Sequence, residues 1–220
     1  MQLASQPAFR LPVTGRVVAT ESGADPLDNH HVEPSVPNQA KAYDLLGIDG
    51  QGRFTTGSGA RVEDYVGWGM PIVAAAPGRV VAAEDGLRDL AVGEPPHSDE
   101  HAYGNRVAIA HEDGSFTLYG HMQCGSVDRS LLGAQIAAGT VLGRMGNSGR
   151  SDAPHLHVQR QLGSAEFFGD ATAADLAFEG ARLVGSYRFD PDVGFVDWRE
   201  VDVVPRDPRI ARRGDVLKPA

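Results

Sequence analysis

The sequence has a single cysteine, Cys124, among 220 residues. No disulfide can therefore form within the chain, and a metal site in it can draw on at most one thiolate. A lone cysteine is more often a small packed residue than a nucleophile, and we expect Cys124 to be packed. The cysteine count excludes a disulfide framework and a cysteine-rich structural zinc site.

Basic side chains are few and scattered. The formal net charge is −9, and the longest basic tract is Arg212-Arg213. A protein that binds nucleic acid needs clustered lysine and arginine to neutralise phosphates, so we expect no nucleic-acid partner. The same charge balance gives no reason to expect attraction to an anionic membrane surface.

Long apolar runs and several common catalytic motifs are missing. No segment approaches the roughly 20 apolar residues of a transmembrane helix. Residues 1–7 show no basic region followed by an apolar one, so no standard export signal is visible. His111-Glu112 is not followed by the second histidine of the helical zinc-protease motif, and there is no Gly-x-Ser-x-Gly elbow and no phosphate-binding loop.

Glycine and proline are abundant, with 27 and 14 residues. This composition favours short strands and turns over long helices, and the length suits one domain with extensions. We predict an all-β or β-dominated fold with an antiparallel sheet, a short peripheral helix at residues 171–179 and a poorly ordered tail from residue 204. Strands are predicted within residues 9–20, 43–48, 106–111, 115–122, 139–145 and 195–201, and as two short strands joined by the Pro77-Gly78 turn within residues 69–83.

Two histidines lie one residue apart in the segment Ala153-Pro154-His155-Leu156-His157-Val158-Gln159. In a strand, alternate side chains point to the same face about 6.7 Å apart. His155, His157 and Gln159 would share one face, while Leu156 and Val158 point into the core. Two imidazoles on a rigid element can hold a metal and place a second base beside it. The alternative is a surface strand that happens to carry two histidines.

Asp44 is a further candidate, because it lies between apolar residues of a predicted strand. A carboxylate is costly to bury unless it is paired or bound to metal, and the alternative is that it faces the surface. His31 and His121 also lie on or beside predicted strands. Three nitrogen or oxygen ligands with an open fourth position are typical of catalytic zinc, whereas structural zinc fills four positions and favours cysteine.

The motifs follow an order that resembles a known family. Residues 29–161 are similar to the lysostaphin-like (LytM-type) zinc endopeptidases, which cut peptide bonds in bacterial cell-wall peptidoglycan. The elements that carry this resemblance are Ala42-Tyr43-Asp44, Gly69-Met70-Pro71-Ile72-Val73-Ala74, Pro77-Gly78-Arg79-Val80, Tyr103-Gly104-Asn105, Leu118-Tyr119-Gly120-His121-Met122, Gly146-Asn147-Ser148-Gly149 and Pro154-His155-Leu156-His157.

Carried over residue by residue, the resemblance implies that Asp44 and His157 bind zinc. It also implies that His121 and His155 flank the metal-bound water as catalytic residues. The fold it implies is the LytM-type peptidase fold, in which the antiparallel sheet forms an open groove.

The first histidine ligand departs from the usual family pattern. That pattern puts it four residues before the aspartate, where this chain has Ala40. Some relatives take the ligand from an upstream Asn-x-His, to which Asn29-His30-His31 is similar. His31 is therefore the preferred third ligand and His30 the reserve. If this segment is extended, adjacent side chains point to opposite sides, and only one of the two histidines reaches the metal.

These observations predict a zinc-dependent endopeptidase that hydrolyses peptide stems or cross-bridges of peptidoglycan. The alternative is a degenerate domain of the same fold that binds cell wall or regulates another hydrolase. A β-rich carbohydrate-binding or structural protein would require the histidines to be incidental. The expected organisation is an N-terminal extension at residues 1–28, a peptidase core at 29–162 and a C-terminal extension at 163–220. We expect a monomer with a peptidoglycan peptide as partner, in an extracytoplasmic location implied by the family.

Overall fold

The protein is built from antiparallel strands. The computed structural model describes residues 7–22, 25–27, 29–98, 101–167, 171–200 and 210–220. Short 3-10 helices lie at Pro37–Gln39, Val62–Asp64 and Arg129–Leu131. The strands are β1 (Val17–Glu21), β2 (Tyr43–Gly47), β3 (Pro71–Val73), β4 (Gly78–Glu84), β5 (Asn105–Ala110), β6 (Ser115–Met122), β7 (Gln135–Ile136), β8 (Val141–Arg144), β9 (His155–Leu162), β10 (Thr172–Ala174), β11 (Arg182–Asp190), β12 (Gly194–Glu200) and β13 (Asp215–Lys218).

Most of these strands belong to one large sheet. Its order is β12-β11-β13-β1-β2-β9-β6-β5-β4-β7, and β10 pairs with β9 beside this path. The strands β3 and β8 form a separate two-stranded sheet. The described pairings between strands are all antiparallel, so the β-dominated antiparallel fold expected from the sequence is confirmed.

One face of the large sheet packs into the core. Leu45 of β2 and Leu156 of β9 are cross-strand partners, and both are fully buried. They belong to the same hydrophobic cluster as Ile72 of β3 and Leu142 of β8, the two strands of the small sheet. Because side chains alternate along a strand, the neighbours of these core residues point to the opposite face. Asp44 and His157 therefore lie together on this opposite face of the large sheet, which we call the polar face.

The predicted helix at residues 171–179 is wrong. Residues Thr172–Ala174 form β10, which pairs with Arg160–Leu162 at the end of β9. Phe178 is fully buried and bridges to Phe9. Hydrogen bonding to the exposed edge of β9 and the burial of Phe178 outweigh the helix propensity of the alanines in this segment.

The two short strands predicted within residues 69–83 are present as β3, which pairs with β8, and β4, which pairs with β5 and β7. Two smaller expectations fail. Residues 204–209 lie outside the described part of the chain, but residues 215–218 form β13, where Val216 and Leu217 are fully buried. Cys124 is exposed rather than packed.

The strands from the two ends of the chain extend the central sheet. β1 pairs with β2 on one side and with β13 on the other. The division into a core and two extensions stays a prediction. Within the described residues, no helix has the length and apolar character needed to cross a membrane.

Candidate metal centre

Asp44 lies at the centre of the polar face. It is the cross-strand partner of His157 on β9 and of Glu21 on β1. Its side chain is 9% exposed, and in the described part of the chain its ion-pair partners are all histidines. A buried carboxylate without an arginine or lysine partner has to be stabilised by these imidazoles or by a bound cation.

Each oxygen of the Asp44 carboxylate faces one imidazole nitrogen. His157 Nδ1 lies 3.0 Å from Oδ1, and His31 Nε2 lies 3.0 Å from Oδ2. Ligands at about 2.0–2.1 Å around tetrahedral zinc are roughly 3.3 Å from one another. The spacing of Asp44 from each imidazole is therefore close to that of two ligands of one zinc ion, and the donor types suit zinc.

The amide of Gln159 determines the orientation of His157. His157 Nε2 lies 2.9 Å from Gln159 Oε1, and the Gln159 amide nitrogen donates to Asn38 O at 3.1 Å and to Gln161 Oε1 at 2.6 Å. With its nitrogen used in this way, Gln159 presents its oxygen to the imidazole. Nε2 of His157 must then carry the proton, and the lone pair of Nδ1 points towards Asp44.

His121 reaches the polar face through an unusual backbone conformation. Regular alternation along β6 would place His121 on the same face as Thr117 and Tyr119, and the structure differs at His121. Tyr119 pairs with Val158 and belongs to the core, whereas the His121 ring lies 4.6 Å from that of His155. The φ angle of His121 is 57°, in the left-handed region that non-glycine residues rarely adopt. This twist turns His121 away from the core and towards the other histidines.

Backbone carbonyl oxygens fix one nitrogen of His121 and one of His155. His121 Nδ1 donates to Ser148 O at 2.8 Å, and His155 Nδ1 donates to Ala153 O at 2.8 Å. Both rings therefore keep an unprotonated Nε2 when neutral. His155 Nε2 lies 3.7 Å from Asp44 Oδ1, beyond hydrogen-bond distance. The two residues predicted to be catalytic thus present Nε2 atoms that can accept a proton.

Burial and neighbouring charges shift the pKa values of Asp44 and His31 in opposite directions. Burial alone would raise the pKa of Asp44, but the charges of His31 and His155 and the close imidazole nitrogens of His157 and His31 hold it well below its ordinary value. Burial lowers the pKa of His31, against the opposing charge of Asp44. Burial and the neighbouring histidines lower the pKa of His121 well below its ordinary value. Asp44 is therefore ionised and His121 neutral at pH 7.

The backbone at His30 and His31 is not extended. They lie in a turn in which Asn29 Oδ1 accepts from His31 N at 3.0 Å, and their rings are 4.0 Å apart. The premise that they point to opposite sides is therefore wrong, and donor atoms of His30, His31 and Asp44 all lie within 4.8 Å of one another. His31 remains the more buried of the two, with 12% of its side chain exposed against 64% for His30.

A groove of about 630 Å³ opens above these residues. His31, His121 and His157 line it together with Tyr103 and Arg150. The polar face thus combines a carboxylate, several imidazoles and an adjoining groove. The supporting residues Asn29, Gln159 and Ser148 were not assigned these roles from the sequence, although Gln159 was placed on the correct face.

The polar face of this antiparallel β domain therefore presents histidine and aspartate side chains that could hold a metal ion. A sequence model of the family described as "Peptidase family M23" matches residues 62–167. This range contains His121, His155 and His157 and begins after His31 and Asp44. Residues 62–167, just under half of the chain, are thus similar to peptidase family M23.

Individual relatives match over shorter stretches. The chain is 38% identical over 60 residues to "DD-carboxypeptidase/endopeptidase Mpg" of Neisseria meningitidis serogroup B and of Neisseria gonorrhoeae. This stretch is 27% of the present chain and 13% of each relative, so the chain spans a small part of their length.

Two solved structures are similar at low identity. The catalytic domain of the antimicrobial peptidase lysostaphin from Staphylococcus simulans shares 20% identity, with 74% of this chain and 88% of that chain covered and a TM-score of 0.42. The deep-sea M23 metalloprotease pseudoalterin shares 17% identity, with 95% and 96% covered and a TM-score of 0.46.

Proposed function

We propose that the chain is a zinc-dependent endopeptidase whose metal is held by His31, Asp44 and His157. The observation that carries this proposal is the geometry around Asp44, where each carboxylate oxygen lies 3.0 Å from one imidazole nitrogen. When bound in such a site, zinc acts as a Lewis acid on the scissile carbonyl and lowers the pKa of water.

His121 and His155 supply the proton transfers of the proposed reaction. His121 is neutral, and its Nδ1 is fixed by Ser148 O, so Nε2 can accept the proton of the attacking water. His155 lies beside it, with Nδ1 on Ala153 O and Nε2 turned towards the Asp44 side. With Nε2 also protonated, His155 donates a hydrogen bond to the oxyanion or gives that proton to the leaving amine.

The proposed substrate is a peptide stem or cross-bridge of peptidoglycan. The match to peptidase family M23 supports this substrate class, as does the carboxypeptidase and endopeptidase activity for which the Neisseria relatives are named. We propose that the peptide lies in the groove that His31, His121, His157 and Tyr103 line. Action on the cell wall places the protein outside the cytoplasm, and we propose that it acts there as a monomer.

A second proposal keeps the fold and removes the catalysis. The family match begins at residue 62, so two of the three proposed ligands, His31 and Asp44, lie outside it. Position 40, where the family pattern expects a ligand, is alanine. In this alternative the domain binds cell wall or regulates another hydrolase.

Digestion of purified peptidoglycan distinguishes the two proposals. The endopeptidase should release fragments with new amino and carboxyl termini, which mass spectrometry assigns to one type of peptide bond. Asp44→Asn should release none, because the amide cannot supply the carboxylate ligand. Asp49→Asn is the matched control, since Asp49 pairs with Arg53 away from the site. Binding to peptidoglycan without release of fragments by the wild-type protein would favour the non-catalytic domain.

A further inference from the structure

Glu21 occupies a position directly beside the candidate metal centre. It ends β1 and is the cross-strand partner of Asp44. Only 8% of Glu21 is exposed, although it is a carboxylate at the end of a strand. A buried charge in this place requires partners, and its partners connect two distant parts of the chain.

One oxygen of Glu21 holds the turn that carries the proposed first ligand. Glu21 Oε2 accepts a hydrogen bond from His30 N at 2.8 Å and lies 3.3 Å from His30 Nδ1. His30 stacks on His31, with 4.0 Å between ring centres. Glu21 therefore fixes the backbone one residue before His31.

The other oxygen of Glu21 meets Arg213, from the segment that precedes β13. Arg213 Nη2 lies 2.5 Å from Glu21 Oε1. The same guanidinium donates to Thr20 O at 2.9 Å and to Leu27 O at 3.1 Å, and it lies over the ring of Phe189. Arg213 thus ties the end of β1 to the polypeptide just before the His30–His31 turn.

His31 needs such support more than the other proposed ligands. Asp44 lies on β2 and His157 on β9, where ladder hydrogen bonds fix the backbone. His31 lies in a turn between strands, held on one side by the fully buried Asn29, whose Nδ2 donates to Ala42 O at 3.2 Å. Glu21 and Arg213 hold the other side of this turn.

We propose that Glu21 and Arg213 are positioning residues that set the metal affinity of the site. Through them, the segment before β13 controls how firmly the His30–His31 turn is held against Asp44. This inference rests on the proposed function, because it assumes that the turn supplies a ligand. It applies to His30 and to His31 alike, since Glu21 fixes the backbone of the turn that carries both.

The test is the dissociation constant for zinc, measured by competition with a chromophoric chelator on the folded full chain. Residues that support metal ligands typically contribute 10- to 100-fold to affinity, so Arg213→Gln should weaken zinc binding by about that factor. Arg213→Lys keeps the charge but cannot reach all three acceptors, so its affinity should fall between those of Arg213→Gln and the wild type. Glu21→Gln should also weaken binding.

Arg106→Gln is the matched control. Arg106 is 19% exposed against 17% for Arg213, pairs with Glu84 and lies over the ring of Phe167. A purely structural contribution of Arg213 would make both variants lose similar stability with unchanged zinc affinity. The inference predicts that only Arg213→Gln loses affinity.

Hydrogen exchange of the wild-type protein provides a test that needs no variant to fold. Zinc should slow amide exchange in residues 29–33 and also in residues 211–214, since the two segments are linked through Glu21. Unchanged exchange in residues 211–214, or equal zinc affinity in Arg213→Gln and wild type, would overturn the inference. A wild-type protein that binds no zinc would instead overturn the proposed function.

Discussion

His157 and Gln159 are joined by a hydrogen bond of 2.9 Å between Nε2 and Oε1. They are neighbours on the same face of β9, two residues apart. The Gln159 amide nitrogen donates to Asn38 O and to Gln161 Oε1. A flip of the amide, which would exchange its oxygen and nitrogen, would break both of these hydrogen bonds. This one contact decides which nitrogen of His157 is free to bind metal.

Removal of the Gln159 amide should therefore weaken metal binding. Gln159→Met keeps the length of the side chain but removes the acceptor for His157 Nε2. We expect zinc affinity to fall by about 10- to 100-fold, while Gln159→Glu, which keeps an acceptor oxygen, loses less. Thr117→Val is a control for the loss of a buried hydrogen bond, since Thr117 is fully buried near Tyr119 and His111. Equal zinc affinity in Gln159→Met and the wild type would contradict this account of His157.

The two histidines assigned to proton transfer should separate metal binding from turnover. His121→Ala and His155→Ala should each keep about one zinc per chain, because neither is a proposed ligand. Turnover on a peptidoglycan-derived peptide should fall by about 10²–10⁴, the usual contribution of general acid–base catalysis. His101→Ala, at an exposed position, should change neither quantity. Loss of zinc from either active-site variant would show that it is a ligand.

The choice between His30 and His31 can be made by paired substitution. His31→Ala should lose zinc and activity, because His31 Nε2 lies 3.0 Å from Asp44 Oδ2. His30→Ala should keep most of both, since its side chain is 64% exposed and its Nδ1 faces Glu21. The reverse pattern would make His30 the ligand. No effect of either change on zinc content would remove this turn from the site.

His111 should make the stability of the fold depend on pH, independently of the metal centre. Burial lowers the pKa of His111, although Pro77 O, which accepts from Nδ1 at 2.8 Å, and the nearby Asp113 act in the opposite direction. Arg160 adds to the lowering. The unfolded chain therefore binds a proton at His111 at higher pH than the folded chain does.

The stability contributed by neutral His111 is present above its unfolded pKa, near 6.5, and is lost as the pH falls towards its folded pKa. The free energy of unfolding can be measured with urea at pH 7.5 and at pH 5, in excess chelator. Between these two pH values it should decrease less in His111→Gln than in the wild type. The histidines of the metal centre remain in both proteins, so the difference isolates His111. Identical losses would contradict a lowered pKa.

Side-chain alternation predicted the central part of the site. Alternation placed His157 opposite Leu156 and Val158, and hence opposite the core. Asp44 was a candidate because of its apolar neighbours, and the register between β2 and β9 makes it the partner of His157. His155 was correctly placed for the same reason. These assignments succeed because burial of one face of a strand determines the face on which each of its side chains lies.

The same rule failed where the backbone leaves the strand conformation. A φ of 57° at His121 reverses its side chain, and nothing in the pattern around residue 121 signals this. The turn at residues 29–31 depends on the buried Asn29 and on Glu21, which lie on different elements. The Glu21–Arg213 contact joins residues 192 positions apart, and local patterns carry no information about such distant partners.

The zinc content of the purified chain tests the central claim most directly. The account predicts about one zinc per wild-type chain after dialysis, and a content near background in Asp44→Ala and in His157→Ala. His97→Ala, a histidine hydrogen-bonded to Arg88 O outside the site, should hold as much zinc as the wild type. A wild-type chain without zinc, or an Asp44→Ala chain that holds as much zinc as the wild type, would contradict the account.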